Sequence, residues 1–304
     1  MTKFEVQVLG CGSALPTTLH MPSSQLVEMN GKLFMIDCGE GTQLQMRKFG
    51  ARMSKLHSIF ISHLHGDHVF GLPGLISTLG LLGRTADLTI YAHKEMETLL
   101  RPILNFFCRN LSYNVNIVAI PKDGFSLIYE NKSITINSFP LKHRIASSGF
   151  LFKEKEKMRH IKREMIDFYN IPIREINNIK LGADFITPEG DVIDNLHLTT
   201  PPNPSRSYAY CSDTAYDESI IPYIKGVNAL YHEATFAESE LSRAEKTAHS
   251  TAKQAAEIAK KAEVEKLVVG HFSSRYIELD TLLHEAQAVF PKTELAFEGK
   301  VIAL

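Results

Sequence analysis

The segment Ser62-His63-Leu64-His65-Gly66-Asp67-His68 constrains this chain more than any other part of it. It follows an apolar run at 58–62 that predicts a buried strand, and it precedes a Gly-rich turn into a predicted helix over about 71–82. Three imidazoles and a carboxylate so close together are costly to bury without partners, so packing alone does not favour the cluster. Imidazole nitrogens and carboxylate oxygens suit Zn²⁺ and, less selectively, Mn²⁺ or Fe²⁺. The segment therefore predicts a metal site.

Three further candidate ligands follow other predicted strands. His143 comes after the strand predicted at 133–139, Asp213 after that at 207–212, and His271 after that at 266–270. In α/β sheets, binding sites assemble at the carboxyl ends of strands. We therefore expect these three residues to join the first cluster, which gives enough ligands for two metal ions.

The remaining pattern predicts an α/β fold. Residues 4–9 alternate apolar and polar side chains, and the runs at 26–29 and 33–36 flank Asn30-Gly31, the dipeptide favoured in tight hairpins. Strands and helices are mixed throughout, which favours an α/β sandwich over a purely parallel sheet. A chain of 304 residues with 44% hydrophobic side chains has enough apolar material for a large core, which excludes a disordered protein.

Charge and cysteine content narrow the class of protein. The net charge of −1 excludes a strongly basic protein that coats nucleic acid. The four widely spaced cysteines (Cys11, Cys38, Cys108 and Cys211) favour reduced thiols over a disulfide framework. Glu5 and Gln7 interrupt the apolar stretch that a signal peptide needs, and the most apolar segment, 69–83, is too short to span a bilayer. We expect a cytoplasmic protein that does not enter a membrane.

One segment differs from the rest. Residues 153–165 contain six Lys or Arg against three Glu, and the chain from there to about 205 has little strand pattern. Two interpretations stay open. The segment is either a solvated surface helix followed by a loop, or an inserted arm that contacts an anionic partner.

The motifs together resemble the metallo-β-lactamase superfamily and, within it, the short form of the ribonuclease Z family of tRNA 3′-processing endonucleases. The resemblance covers nearly the whole chain. It includes the metal-ligand motif His63-x-His65-x-Asp67-His68 with His143, Asp213 and His271. It also includes the segments 9–16, 37–43, 232–235, 249–251 and 270–276, in the same order. The resemblance implies an αββα sandwich formed by a single domain, 1–304, with a tRNA-binding arm inserted at about 150–205.

The resemblance also implies the role of each site residue. One Zn²⁺ would be bound by His63, His65 and His143, and a second by Asp67, His68 and His271, with Asp213 bridging the two. Mn²⁺ or another divalent metal is an alternative. Asp67 would also accept a proton from the attacking water. His249, assisted by Glu233, would protonate the leaving 3′ oxygen or stabilise the phosphorane, since a nearby carboxylate favours the imidazolium. His232 and Arg275 are secondary candidates, for support of the site and for phosphate contact.

The implied activity is removal of the 3′ trailer from precursor tRNA, which leaves a 3′-hydroxyl on the tRNA and a 5′-phosphate on the trailer. A net positive two-metal site attracts phosphate oxygens, in keeping with this chemistry. The family further implies a homodimer in which the arm of one subunit presents tRNA to the other. The alternative is a small-molecule hydrolase of the same superfamily (a phosphodiesterase, lactonase or thioesterase), because the same metal site would serve it.

The chain departs from the family at one point. The arm of short-form members carries a Gly-Pro element that grips tRNA. This chain instead reads Asn-Ile-Pro-Ile-Arg-Glu at 170–175. We therefore expect the hydrolytic site to be retained and the contacts of the arm with tRNA to differ.

Overall fold

The computed structural model describes residues 3–304, and the contacts within it divide the chain into two compact units. The first contains the chain up to Lys153 together with Arg206–Leu304, and the second is Glu154–Ser205. Met1 and Thr2, which the predicted domain 1–304 includes, lie outside the described residues. No helix among residues 3–304 is long and apolar enough to cross a bilayer.

Two seven-stranded sheets form the framework of the first unit. One contains β1 (Phe4–Gly10), β2 (Ser24–Met29), β3 (Lys32–Cys38), β4 (Leu56–Phe60), β5 (Leu88–Ala92), β6 (Val115–Ala119) and β18 (Val301–Ala303). The other contains β7 (Ser126–Glu130), β8 (Ile134–Leu141), β9 (Ser147–Glu154), β14 (Ser207–Cys211), β15 (Ala229–Glu233), β16 (Leu267–Gly270) and β17 (Thr293–Leu295). The strand orders are β18-β1-β2-β3-β4-β5-β6 and β17-β16-β15-β14-β9-β8-β7.

Both sheets mix parallel and antiparallel pairs. In the first, β3, β4, β5 and β6 are parallel to one another, whereas β2 pairs antiparallel with β3 and with β1, and β1 pairs antiparallel with β18. In the second, β14, β15, β16 and β17 are parallel, and β9 pairs antiparallel with β14. The hairpin predicted at Asn30-Gly31 is confirmed: β2 and β3 pair across it, with φ of 49° and 79° at the two turn residues, as the tight turns that match strand twist require.

The inner faces of the two sheets pack on each other through aromatic side chains. The ring of Phe60 in the first sheet lies 5.7 Å from Phe150 and 5.5 Å from Phe152 in the second, and all three side chains are fully buried. Burial of rings this large dominates the energetics of such a core. The helices of this unit are α1 (Thr42–Lys48), α2 (Gly66–Val69), α3 (Leu72–Leu81), α4 (Glu95–Phe107), α8 (Ile221–Ile224), α9 (Leu241–Thr247), α10 (Ala252–Lys261) and α11 (Asp280–Val289).

Helices cover the outer faces of the sheets. Leu75 and Ile76 of α3 and Leu100 of α4 belong to one buried cluster with Ile59 of β4. The alanine-rich face of α10, with Ala255 and Ala259, joins Val268 of β16 in the other cluster. Three short 3₁₀ helices complete the unit, at Met53–Lys55, Glu218–Ile220 and Glu238–Glu240. The predicted αββα sandwich is therefore confirmed.

Strand β9 was not among the predicted elements, although it is a buried strand of the second sheet. Its sequence, Ser-Ser-Gly-Phe-Leu-Phe-Lys-Glu, contains little of the alternation by which strands are recognised. Gly149 is required there because a Cβ atom would lie 2.4 Å from the ring of Phe139. The predicted arm, about 150–205, thus includes the last part of a strand of the large sheet together with the second unit.

The second unit has a small core of its own. It contains β10 (His160–Ile161), α5 (Arg163–Phe168), α6 (Ile173–Lys180), β11 (Phe185–Ile186), β12 (Val192–Ile193), α7 (Asn195–Leu198) and β13 (Thr199–Thr200), with two-stranded ribbons β10-β13 and β11-β12. Its buried apolar side chains are Ile171, Ile179, Phe185 and Leu198.

Residues 153–165 do not form one helix, so that interpretation is wrong. They contain the end of β9, then β10, and α5 begins only at Arg163. A physical reason lies at Glu154, whose buried side chain accepts a hydrogen bond from Lys157 at 2.7 Å. In the strand, this carboxylate is buried and paired, whereas a surface helix would leave it in solvent.

Candidate metal centre

The four residues predicted to follow strand ends converge on one site. His63 follows β4, His143 follows β8, Asp213 follows β14 and His271 comes directly after β16. Asp213 and His271 have positive φ values of 57° and 60°, which residues other than Gly rarely adopt. Backbone of this kind is concentrated at functional sites. It turns the chain sharply where each strand ends.

The first group of possible ligands contains His63, His65, His143 and Asp213. His65 Nδ1 lies 2.8 Å from His63 Nε2 and 3.4 Å from His143 Nε2. Asp213 Oδ2 lies 3.5 Å from His63 Nε2 and 3.8 Å from His143 Nε2. Four donor atoms thus surround one point.

The second group contains Asp67, His68 and His271, again beside Asp213. Asp67 Oδ2 lies 3.5 Å from His68 Nε2 and 3.6 Å from His271 Nε2. The other oxygen of Asp213, Oδ1, lies 3.1 Å from each of the same two nitrogens. One carboxylate therefore presents a different oxygen to each group.

These separations fit a metal ion. Bond lengths of 2.0–2.1 Å in a tetrahedral zinc site place neighbouring nitrogen and oxygen ligands about 3.3 Å apart, close to the distances observed. The Nε2 atoms of His68 and His271 are buried and have no hydrogen-bond partner. Such orphaned nitrogens are costly unless a cation takes their lone pairs. The site is therefore suited to a divalent metal, as the fold implies.

Residues behind the histidines orient their rings. His143 Nδ1–H donates to the carbonyl of Ala248 at 2.8 Å, and His271 Nδ1 lies 3.0 Å from Thr235 Oγ1. Because the Nδ1 atom of His143 is the donor, the lone pair of its Nε2 atom is free to face the site. This outer support is typical of metal-binding histidines.

Asp37 supports His68 in the same way, a role that the sequence analysis did not assign. Its Oδ2 atom lies 2.8 Å from His68 Nδ1 and accepts the hydroxyl of Tyr210, and its Oδ1 atom accepts the N–H of Ser62 at 2.7 Å. Asp37 is fully buried and has a φ of 55°. The available signal was an aspartate within the apolar strand Leu-Phe-Met-Ile-Asp-Cys.

Glu233 and His249 form the predicted pair at the edge of the site. Glu233 Oε1 lies 2.8 Å from His249 Nδ1 and accepts the N–H of Thr214 at 2.6 Å. Burial disfavours the charged form of His249, but the neighbouring Glu233 outweighs burial and raises the pKa of His249 to about 9. His249 is therefore an imidazolium at neutral pH, the form that can donate a proton.

The two secondary candidates, His232 and Arg275, do not belong to the groups of possible metal ligands. His232 is buried, and its ring Nδ1–H donates to the carbonyl of Glu233 at 2.8 Å. Arg275 is exposed.

An open cleft of about 430 Å³ lies beside the candidate metal centre. It is lined by His65, Asp67, Asp213, His249 and His271, with Phe70 and Arg144. Arg144 was not selected from the sequence, although it directly follows His143.

This chain is similar in sequence and in structure to known proteins. The family model described as "Anti-Pycsar protein Apyc1" matches residues 4–158. Ribonuclease Z of Parabacteroides distasonis is 56% identical over 299 residues, which cover 98% of each chain. Ribonuclease Z of Bacteroides fragilis is 57% identical over 304 residues, which cover 100% of each chain.

The chain belongs to the ribonuclease Z family. Two solved structures have the same fold as this chain. The short form of human tRNase Z matches with a TM-score of 0.70 and 23% identity over 98% of each chain. The metallo-β-lactamase fold protein YhfI of Bacillus subtilis matches with a TM-score of 0.69 and 18% identity, over 98% of this chain and 99% of that one.

Replacement of Asp37 by Asn will weaken metal binding by about 10- to 100-fold. Asn has a single acceptor oxygen, which cannot serve both the N–H of Ser62 and the Nδ1–H of His68. Competition with a chromophoric zinc chelator measures the affinity. Asp123→Asn, in an exposed loop, is the control and should have the metal affinity of the unmodified chain. Equal affinities for both variants would contradict the role given to Asp37.

Proposed function

We propose that this chain is a zinc-dependent endoribonuclease that removes the 3′ trailer from precursor tRNA. Water would attack the phosphorus after the discriminator base and the 3′ oxygen would leave, so the tRNA ends in a 3′-hydroxyl and the trailer begins with a 5′-phosphate. The observation that carries the proposal is the pair of donor groups sharing Asp213, beside His249, in a chain more than half identical to ribonuclease Z over its full length.

Two Zn²⁺ ions per chain fit the donors best. The first would be bound by His63, His65 and His143, the second by Asp67, His68 and His271, and Asp213 would contact both; Mn²⁺ is the alternative. Such ions make water more acidic and neutralise charge on a phosphodiester. The imidazole and carboxylate composition favours zinc over Mg²⁺ or Ca²⁺, which prefer oxygen ligands.

Two residues that line the cleft, Asp67 and His249, would each carry out one proton transfer. Asp67 would accept the proton of the attacking water, and its Oδ2 atom is held by the N–H of Ala14 at 2.8 Å. His249 would donate a proton to the leaving 3′ oxygen, while Glu233 stabilises its positive charge. Arg144, exposed at the cleft, is a candidate for phosphate contact.

The proposed partner is precursor tRNA, contacted by the inserted arm at about 150–205. The cationic residues at its start, from Lys153 to Arg163, offer charge for phosphates. As in the family, the enzyme would be a cytoplasmic homodimer in which the arm of one subunit presents tRNA to the other.

The first test is cleavage of a 3′-extended precursor tRNA by the zinc-loaded protein, with bis(p-nitrophenyl) phosphate as a parallel substrate. We expect cutting after the discriminator base. We expect Asp67→Ala to lower the rate about a thousandfold or more, since a metal ligand and a proton acceptor are lost together. Hydrolysis of the small diester without cleavage of tRNA would overturn the proposal in favour of a small-molecule hydrolase.

Removal of the arm separates recognition of tRNA from hydrolysis. Lys153 pairs with Ser207 across β9 and β14, so a short Gly-containing turn can join the two strands in place of residues 154–205. We expect this variant to lose cleavage of precursor tRNA and to retain hydrolysis of bis(p-nitrophenyl) phosphate. Loss of both activities with intact zinc content would contradict a role of the arm in tRNA binding alone.

Replacement of Glu233 by Gln should lower kcat for precursor tRNA by about 10²- to 10³-fold, because the neutral amide no longer stabilises the imidazolium of His249. We expect zinc content to change little, since Gln has the same shape as Glu and none of the proposed metal ligands is replaced. Glu263→Gln, at an exposed position, is the matched control. A variant with unchanged kcat would exclude Glu233 from the proton transfer.

A further inference from the structure

Outside the metal centre, a second cluster brings a thiol, an imidazole and a carboxylate together. Cys11 Sγ lies 3.5 Å from His20 Nδ1 and 3.7 Å from Glu298 Oε1, and His20 Nδ1 lies 3.2 Å from Glu298 Oε2. The three residues come from the loop after β1 and from the turn before β18. None of them has a part in the proposed reaction.

The separations match those of a tetrahedral metal site. A Zn–S bond of 2.3 Å and Zn–N or Zn–O bonds of 2.0–2.1 Å place sulfur about 3.5 Å from a neighbouring ligand, and nitrogen about 3.3 Å from oxygen. The triangle formed by Cys11, His20 and Glu298 has sides close to these values. The two oxygens of Glu298 face different partners, as in a carboxylate that binds an ion through both oxygens.

Backbone hydrogen bonds position the segments that carry these three side chains. The N–H of Gly12 donates to the carbonyl of Met21 at 2.9 Å, which closes the loop between Cys11 and His20. The N–H of Met21 donates to Glu298 Oε1 at 2.8 Å, and the N–H of Gly299 donates to the carbonyl of Val8 at 2.8 Å. An ion would therefore find its ligands already assembled, at little cost in ordering.

Charge and access also suit a divalent ion. A thiolate and a carboxylate together neutralise a 2+ ion, so the filled site would carry no net charge and could be buried. Burial and the adjacent Glu298 raise the pKa of the Cys11 thiol, so a cation is needed to favour the thiolate. The side chains of His20 and Glu298 are 18% and 13% exposed, which leaves a path for the ion and for a water as fourth ligand.

We propose that Cys11, His20 and Glu298 form a third metal site that binds one thiophilic divalent ion such as Zn²⁺. Its role would be to hold the loop after β1. The N–H of Ala14 in that loop donates to Asp67. The backbone carbonyl of Cys11 accepts the N–H of Phe272, which follows the proposed metal ligand His271. The third ion would thus stabilise the loop that borders the catalytic cleft without touching the substrate.

Cobalt substitution tests this site, because a thiolate ligand gives Co²⁺ an intense charge-transfer band in the near ultraviolet. The seven proposed ligands of the dinuclear centre are His and Asp, so only the third site can produce this band. We expect three Co²⁺ per chain and the band in the unmodified protein, and two Co²⁺ without the band in Cys11→Ser. Cys108→Ser, which removes a remote thiol, should keep all three ions and the band.

His20→Gln provides a second variant that leaves the thiol in place, in case Cys11→Ser does not fold. It should lose the third ion and the band while it retains the two ions of the dinuclear centre. Two ions per chain and no band in the unmodified protein would overturn the proposal and leave the cluster as hydrogen bonds only. A band that survives both variants would also overturn it. Neither readout depends on the substrate, so the result stands apart from the test of tRNA cleavage.

Discussion

The buried carboxylate of Asp213 is the constraint around which the site is organised. Its two oxygens lie within 3.1–3.8 Å of four imidazole nitrogens, two on each side, and the residue is almost fully inaccessible to solvent. A buried anion is stable only when positive charge balances it, and two of these nitrogens, Nε2 of His68 and of His271, have no hydrogen-bond partner. A divalent cation between the two groups would balance this charge, and its binding would then favour the folded state.

The sandwich supplies the geometry that this site needs. Strands from two different sheets end at the same edge, so His63 after β4 faces His143, Asp213 and His271 after strands of the other sheet. The aromatic contacts of Phe60 with Phe150 and Phe152 fix the spacing between the sheets. Side chains on rigid strand ends hold ligand positions more precisely than side chains on long loops would.

The sequence allowed us to predict that His63, His143, Asp213 and His271 lie close together, because each follows a short apolar run, which is a local pattern. It did not reveal the role of Asp37, whose partner His68 is 31 residues away and depends on the packing of β3 beside the ligand loop. Strand β9 was not predicted because its glycine and serines interrupt the alternation of apolar and polar residues. Its conformation depends instead on pairing with β14. The segment 153–165 resembled a helix by charge alone, and the burial of Glu154 overrides that preference.

Glu233 connects the two sides of the proposed chemistry. Its carboxylate contacts His249, accepts the N–H of Thr214 next to Asp213, and accepts the hydroxyl of Thr235, whose oxygen lies 3.0 Å from His271 Nδ1. One buried carboxylate thereby fixes the proposed proton donor relative to two of the proposed metal ligands. Because these contacts share a single group, substitutions among them should be non-additive. The same sharing explains why Glu233 lies at the end of a buried strand, β15, rather than on a loop: displacement of its carboxylate would move the proton donor and the metal ligands together.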